Sequence, residues 1–262
     1  MPSITIDGRP YFYEDSGEGT PLLLLHGFPF TSQSFKPQLE KPPKGVRVIA
    51  PDHNGFGRST FKHGISTMES MAEDALALLD ALKIDTALVG GVSMGGYVAI
   101  ALTRLDPSRV RGLVLIDTQS TADDEAGKAK REQTAQDVEK NGVKGLVEGM
   151  LPKLLTPEAD PALRNQVEVM MLAQFPAAVA AAARGMATRT DGKDILSRFS
   201  GPCAVIVGAK DTITPVEKAR QLQALVPDAT LDVIENAAHL PNLEQTAAFD
   251  EALERFVVTA GR

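Results

Sequence analysis

A serine flanked by small residues stands in Gly91-Val92-Ser93-Met94-Gly95-Gly96, directly after the apolar run TALVG and before the helical pattern YVAIALTRL. A Gly-x-Ser-x-Gly turn between a strand and a helix lets the chain reverse sharply. It also holds the serine in a strained conformation with its hydroxyl exposed. The N-terminus of the following helix favours the negative charge that develops when such a hydroxyl attacks an acyl carbon. A serine hydroxyl is a poor nucleophile without a base. Of the 4 histidines, His239 is the best placed, in Asn236-Ala-Ala-His239-Leu-Pro between a strand pattern and the last helix. Open α/β sheets place their sites in loops of that kind, at the carboxyl edge. His53 and His63 fall in a polar loop where solvated or structural roles are expected, and His26 is expected to hold its own loop by side-chain hydrogen bonds.

The imidazole needs an acid to fix its tautomer and stabilise its charged form. Asp211 follows the strand pattern CAVIVGAK, and Asp117 ends the strand pattern LVLIDT. Asp211 is preferred, because Gly208-Ala-Lys-Asp211-Thr-Ile-Thr-Pro215 is a turn that holds one aspartate before a capped helix. Asp117 is the rival acid, expected instead to make hydrogen bonds at the base of a helical lid. Acyl transfer also needs N–H donors for the oxyanion. The amide of Met94, after the serine, is one candidate. The second is Phe28 in His26-Gly27-Phe28-Pro29, where Pro29 has no N–H to give.

These residues need a scaffold that gathers strand ends at one edge. Two short β-type segments open the chain, joined through Asp7-Gly8, a hairpin signal. Short apolar runs follow at 21–25, 46–50, 86–90, 110–116, 203–207 and 230–234. Continuous apolar runs suit a parallel sheet covered on both faces. Helix-start signals lie between them: Ser66-x-x-Glu69 as a capping box, Thr214 capping a helix with Pro215 at its first position, and Asn242 with Gln245 opening the last helix. The alternation predicts an α/β fold with a doubly wound sheet. It breaks over 118–194, a stretch of helical composition with an alanine-rich tract at 177–183. The expectation is a single domain over 1–262, with 118–194 inserted as a helical lid.

Composition limits the chemistry further. Of 262 residues 43% are hydrophobic and 23% charged, as in ordinary globular proteins. The net charge of -7, with no Lys/Arg block, gives no electrostatic footprint for nucleic acid. Cys203 is the only cysteine and the histidines are scattered, so no metal-ligand spacing exists. The start lacks an apolar signal region, and the longest apolar run, 22–25, is far too short for a bilayer. The expectations are a cytoplasmic protein with no cofactor, no metal, no nucleic-acid or membrane partner, and a possible homo-oligomer.

The segments HGFP, DHNGFGRS, GVSMGG, GAKDTITP and NAAHLPNLEQ occur in that order, and by them the whole chain resembles the α/β-hydrolase fold. Within it the chain is similar to small bacterial esterases, 3-oxoadipate enol-lactonases and cofactor-free haloperoxidase (perhydrolase)-type enzymes. The resemblance implies a mostly parallel twisted sheet flanked by helices. It also implies a serine hydrolase of carboxylic esters or lactones with an acyl-enzyme and a Ser93–His239–Asp211 triad. Alternatives are acyl transfer to peroxide, a slow hydrolase-like ligand-binding or signalling protein, and a C–C bond hydrolase or lyase. HGFP also resembles epoxide hydrolases and haloalkane dehalogenases. Those carry aspartate where this chain has Ser93 and need lid tyrosines or tryptophans, whereas here Trp is 0 and the 3 tyrosines lie outside the lid. Asn54 stands where relatives usually carry arginine. Phe28 and Met94 should line the substrate pocket from two loops. Met171 and Met186 join them from a lid set that also includes Leu146, Met150, Leu154, Met170 and Phe175. Arg184 and Arg189 are expected to be solvated lid residues.

Overall fold

The computed structural model describes residues 2–261. Asp7 and Gly8 take φ of 49° and 74°, as a tight hairpin turn with two left-handed residues requires. They join β1 (Ser3–Ile6) to β2 (Arg9–Gly17) as an antiparallel pair. The apolar runs become β3 (Thr20–Leu25), β4 (Val46–Pro51), β5 (Ala87–Val92), β6 (Val110–Ile116), β7 (Cys203–Gly208) and β8 (Thr230–Ile234). The strands form one sheet in the order β1-β2-β4-β3-β5-β6-β7-β8. β2 meets β4 antiparallel, and every pair from β4 to β8 is parallel. Chain order therefore reverses between β3 and β5. The crevice at such a switch point, beyond the carboxyl ends of the strands, is where open α/β sheets bind ligands.

Continuous apolar strands arise because both faces are covered. Leu23, Leu25, Val89 and Leu115 pack on one face with α2 (Met68–Ala81) and α3 (Met94–Leu105). Leu22, Leu24, Val114 and Ile206 pack on the other with Phe249, Leu253 and Phe256 of the last helix. All six residues of β5, and all six of β7, are buried. The strands that carry the serine and the aspartate are thus the most deeply set.

Between β6 and β7 lie four of the longer helices and one short turn, and no strand among the described residues. In chain order after α1 (Lys36–Glu40), α2 and α3 these are α4 (Glu125–Asn141), α5 (Lys144–Leu154), α6 (Pro161–Leu172), α7 (Pro176–Thr188) and α8 (Lys193–Leu196). The alanine tract forms α7, which buries Ala178 and Ala180 to Ala183. Arg184 on α7 pairs with Glu132 and Glu139 of α4. Arg189 is 5% exposed, pairs with Asp123 at 2.7 Å and lies 4.3 Å over the Tyr97 ring. Both arginines are thus engaged within the fold, and Arg189 is buried rather than solvated. No single helix among the described residues is long and apolar enough to cross a membrane; α6 and α7 together reach that length but meet at 92°.

The helix starts differ from the sequence expectation because other bonds, from distant segments or from the same loop, compete for the capping groups. α2 is capped by Thr67, which accepts from the Ser70 amide, while Ser66 accepts from Asn54 Nδ2 at 2.9 Å. α9 (Val216–Leu225) has Pro215 itself at the cap position, because the Thr214 hydroxyl donates to Asp211 instead. Asn242 lies inside the short α10 (Pro241–Glu244) and reaches Ser34 O. Gln245, at the cap of α11 (Thr246–Ala260), makes no capping bond.

Candidate active site

Ser93 connects β5 to α3 with φ 53° and ψ -112°. A non-glycine residue in that region costs about 1–3 kcal/mol and is held there by its surroundings. Its amide donates to Ile116 O at 2.9 Å, and its carbonyl accepts from Thr118 Oγ1 at 2.8 Å, so the end of β6 clamps the turn. The small neighbours are a steric requirement. A Cβ on Gly91 would lie 2.2 Å from the Gly95 backbone, and a Cβ on Gly95 would lie 1.9 Å from Leu25 O. Gly95→Ala is therefore expected to push β3 from α3, at about 3 kcal/mol or more. A thermal melt should show it as a fall in Tm of roughly 10 °C; an unchanged Tm would mean that the turn is not close-packed.

That contact also brings the 25–28 loop against the serine turn. A Cβ on Gly27 would meet Val92 O at 3.1 Å. Met94 is the first residue of α3, so its amide has no intrahelical acceptor. The Phe28 amide has no protein partner among the described residues, and the Phe28–Pro29 bond is cis. Neither expected N–H donor is thus engaged by another protein group among the described residues.

β5, β6, β7 and β8 run parallel, so Ser93, Asp117, Asp211 and His239 all emerge at one edge. His239 Nδ1 lies 2.8 Å from Asp211 Oδ2, with both side chains buried. Asp211 also accepts from Ile213 N at 2.7 Å, Thr214 N at 3.2 Å and Thr214 Oγ1 at 2.6 Å. Burial alone would raise this carboxyl. The hydrogen bond and charge of His239, with the Thr214 and Ile213 donors, outweigh burial and hold it well below the usual carboxylate range. The His239 loop is tied to the helical insertion: the His239 amide donates to Leu154 O at 3.1 Å. Glu244 Oε2 accepts from Ala238 N at 2.6 Å, and Oε1 accepts from Thr156 N and Oγ1 at 2.7 Å. Sequence reasoning missed Glu244, because its role depends on bridging the nearby Ala238 amide to Thr156, 88 residues away in the chain.

Asp117 faces β7 rather than the base of the insertion: its Oδ1 accepts from Gly208 N and its amide donates to Ile206 O. Asp117, Asp211 and His239 are the one grouping of acid and histidine donors compact enough for an ion among the described residues, all three buried. Nδ1 of His239 is already bonded to Asp211, which leaves such an ion too few ligands.

The other histidines divide. His26 Nε2 accepts from the His53 amide at 3.0 Å and Nδ1 meets Gly27 O, so His26 braces the 25–28 loop. His53 is fully buried against His26, ring centroids 4.3 Å apart, and burial pushes it well down, to the neutral form. It is structural and not solvated; His63 is exposed beside Phe61. Asn54 bonds Lys62 and Ser66, and Arg9 pairs bidentately with Asp74 beside it. Phe28, Met94 and Met186 share one buried cluster, whereas Met171 belongs to the cluster on the opposite face of the sheet. Phe175 is 52% exposed against Phe61 and lines no interior.

The family described as alpha/beta hydrolase fold matches residues 20–246. A thermophilic esterase from Thermogutta terrifontis, solved with malate bound, is 36% identical, with 98% of this chain and 97% of that one covered and a TM-score of 0.94. The 3-oxoadipate enol-lactonase 2 of Acinetobacter baylyi is 31% identical over 211 residues, 79% of this chain and 77% of its own. A solved enzyme that degrades N-acyl homoserine lactones is 29% identical, with 97% and 100% covered and a TM-score of 0.81.

Proposed function

Because the chain belongs to the alpha/beta hydrolase fold family, we propose that it hydrolyses small carboxylic esters or lactones through Ser93, His239 and Asp211. The observation that carries this reading is a serine strained at φ 53° on the strand-to-helix turn, at the same sheet edge as a buried His239–Asp211 pair 2.8 Å apart. Likeness to an esterase and to two lactone-cleaving enzymes supports the substrate class.

The steps follow from the groups present. Asp211 fixes the proton of His239 on Nδ1, which leaves Nε2 as the base. Nε2 takes the Ser93 proton as Oγ attacks the acyl carbon. The Phe28 and Met94 amides, free of other partners, receive the oxyanion. His239 returns the proton to the leaving alcohol, and an acyl-enzyme remains. Water, activated by the same nitrogen, then releases the acid. No cofactor or metal enters these steps. Phe28, Met94 and Met186 border the acyl path from one face and Met171 from the other. The 118–194 insertion acts as a lid on a single domain, and the bonds of Leu154 and Glu244 to the His239 loop link lid and base.

A fluorophosphonate probe should label Ser93 stoichiometrically. A panel of acyl esters, lactones and peracid-forming assays should show rapid turnover of at least one ester or lactone. Absence of both labelling and turnover would overturn the reading. Labelling with single turnover only would favour a ligand-binding role, and peracid formation outpacing hydrolysis would favour peroxide as the acceptor.

A further inference from the structure

A second buried carboxyl stands behind the pair that holds His239. Asp117 ends β6 at φ 41°, a left-handed conformation that a non-glycine residue keeps only under constraint. Its Oδ1 is fixed by the Gly208 amide at 3.0 Å. Its Oδ2 is sealed from solvent and no protein N–H or hydroxyl donates to it. A donor atom from each of Asp117, Asp211 and His239 lies within 4.8 Å of the other two. Two carboxylates that close in an interior cannot both be ionised, so something positive must lie between them. A metal ion would need His239 Nδ1, which is bonded to Asp211; a proton needs only Oδ2.

We propose that Asp117 is a positioning residue, a neutral carboxylic acid whose Oδ2 proton is donated to Asp211, orienting that carboxylate and sharing the charge it presents to His239. Its environment agrees. Burial, then the charge of Asp211, push Asp117 well above the usual carboxyl range, while the donors around Asp211 hold that group low. Pairs of acids pushed apart in this way divide their roles, one kept neutral as a donor and one kept charged. The titratable groups that face Asp117 are Asp211 after β7, His239 after β8 and Glu244 of α10. Lys210, next to Asp211, points outward to Glu158. A donor on Asp211 withdraws part of the charge that this carboxylate presents to the imidazolium, and loss of the donor returns that charge to the pair. The kinetic consequence rests on the acyl-transfer reading above; the protonation itself does not.

The test uses Asp117→Asn, which keeps a donor toward Asp211 and an acceptor for Gly208 but cannot ionise, and Asp117→Leu, which keeps neither. Three readouts are taken. Infrared spectra at pH 7 should contain a protonated carboxyl band in the wild type that D117N lacks. Between the unfolded and folded values of a raised carboxyl, the native state keeps a proton that the unfolded state has lost, so stability falls as pH rises. The Tm of D117N relative to wild type should therefore climb from about pH 4 upward. In kcat/KM profiles the acid limb of D117N should coincide with wild type, and that of D117L should move up by about half a unit. No carboxyl band, or an acid limb that moves down in D117N, would show that Asp117 is ionised and overturn the proposal. An unmoved limb in D117L would reduce Asp117 to packing. Should D117L not fold, the infrared band and the D117N limb decide. If Ser93→Ala retained activity, the acyl-transfer reading would fall while the infrared and thermal readouts still judged Asp117.

Discussion

Ser93→Ala is expected to lower turnover of p-nitrophenyl acetate by roughly 10⁴-fold or more, because nothing else at the sheet edge can form the acyl bond. Removal of Oγ leaves the amide donors in place, so some acceleration over water remains, but it cannot pass through a covalent intermediate. The fold should barely notice. The bonds that clamp the turn, Ser93 N to Ile116 O and Thr118 Oγ1 to Ser93 O, use only the backbone of residue 93. Alanine has the same Cβ at the same positive φ, so the strain stays and Tm should move by no more than about 2 °C. Ser93→Gly removes the Cβ and should be more stable than the alanine variant by about 1 kcal/mol. Esterase assays, probe labelling and thermal melts on the two variants check all of this together. Turnover near wild type in Ser93→Ala would remove the serine from the mechanism. A large fall in Tm would mean that the lost activity reports unfolding.

Much of this arrangement was legible in the residues, for identifiable reasons. The runs at 110–116 and 230–234 coincide with β6 and β8, because a parallel strand must be paired along its length and its ends are marked by polar residues. The serine turn was legible because Gly91 and Gly95 answer to contacts within the motif and with the neighbouring strand. The misses share a different cause. Ser66, Thr214 and Asn242 are sound capping types, but Asn54 and Ser34 engage Ser66 and Asn242 from elsewhere in the chain, and Asp211, held in the same loop for His239, takes the Thr214 hydroxyl. Local propensity cannot see that competition. Asp117 directly precedes the insertion in sequence, which suggests a role at its base. It instead turns to β7, which is its neighbour in the sheet although 91 residues separate Asp117 from Gly208. Phe175 has the character of an interior residue, but it precedes α7 at the surface and packs on Phe61. Strand identity and the serine turn are nearly local properties; which strand-end side chain faces which is a property of strand order.

Asp211→Asn tests that last property and should cost about 10³- to 10⁴-fold in kcat. Asparagine fits the same space and can accept from the Ile213 and Thr214 amides. Its NH₂ then lies where Oδ2 met His239 Nδ1 at 2.8 Å. A donor there forces Nδ1 to accept, and the imidazole proton moves to Nε2, the nitrogen that must take the Ser93 proton. The base is lost through the wrong tautomer, and the imidazolium loses its counter-charge. Asp117 limits the damage. With Asp211 neutral, the charge that opposed ionisation of Asp117 is gone, and its carboxyl lies within 4.8 Å of the same site. Asp211→Asn should therefore retain more activity than Ser93→Ala, and the Asp117→Asn/Asp211→Asn double variant should lose that residue. The thermal signature has a fixed sign. A carboxyl held low in the native state adds stability above its unfolded value, and that stability is lost as pH falls toward the folded value. The Tm deficit of Asp211→Asn should thus be full at pH 7 and close as the pH drops below about 4. A deficit that stayed constant across that range would place the stabilisation in the shape of residue 211, not in the charge that His239 and Thr214 hold.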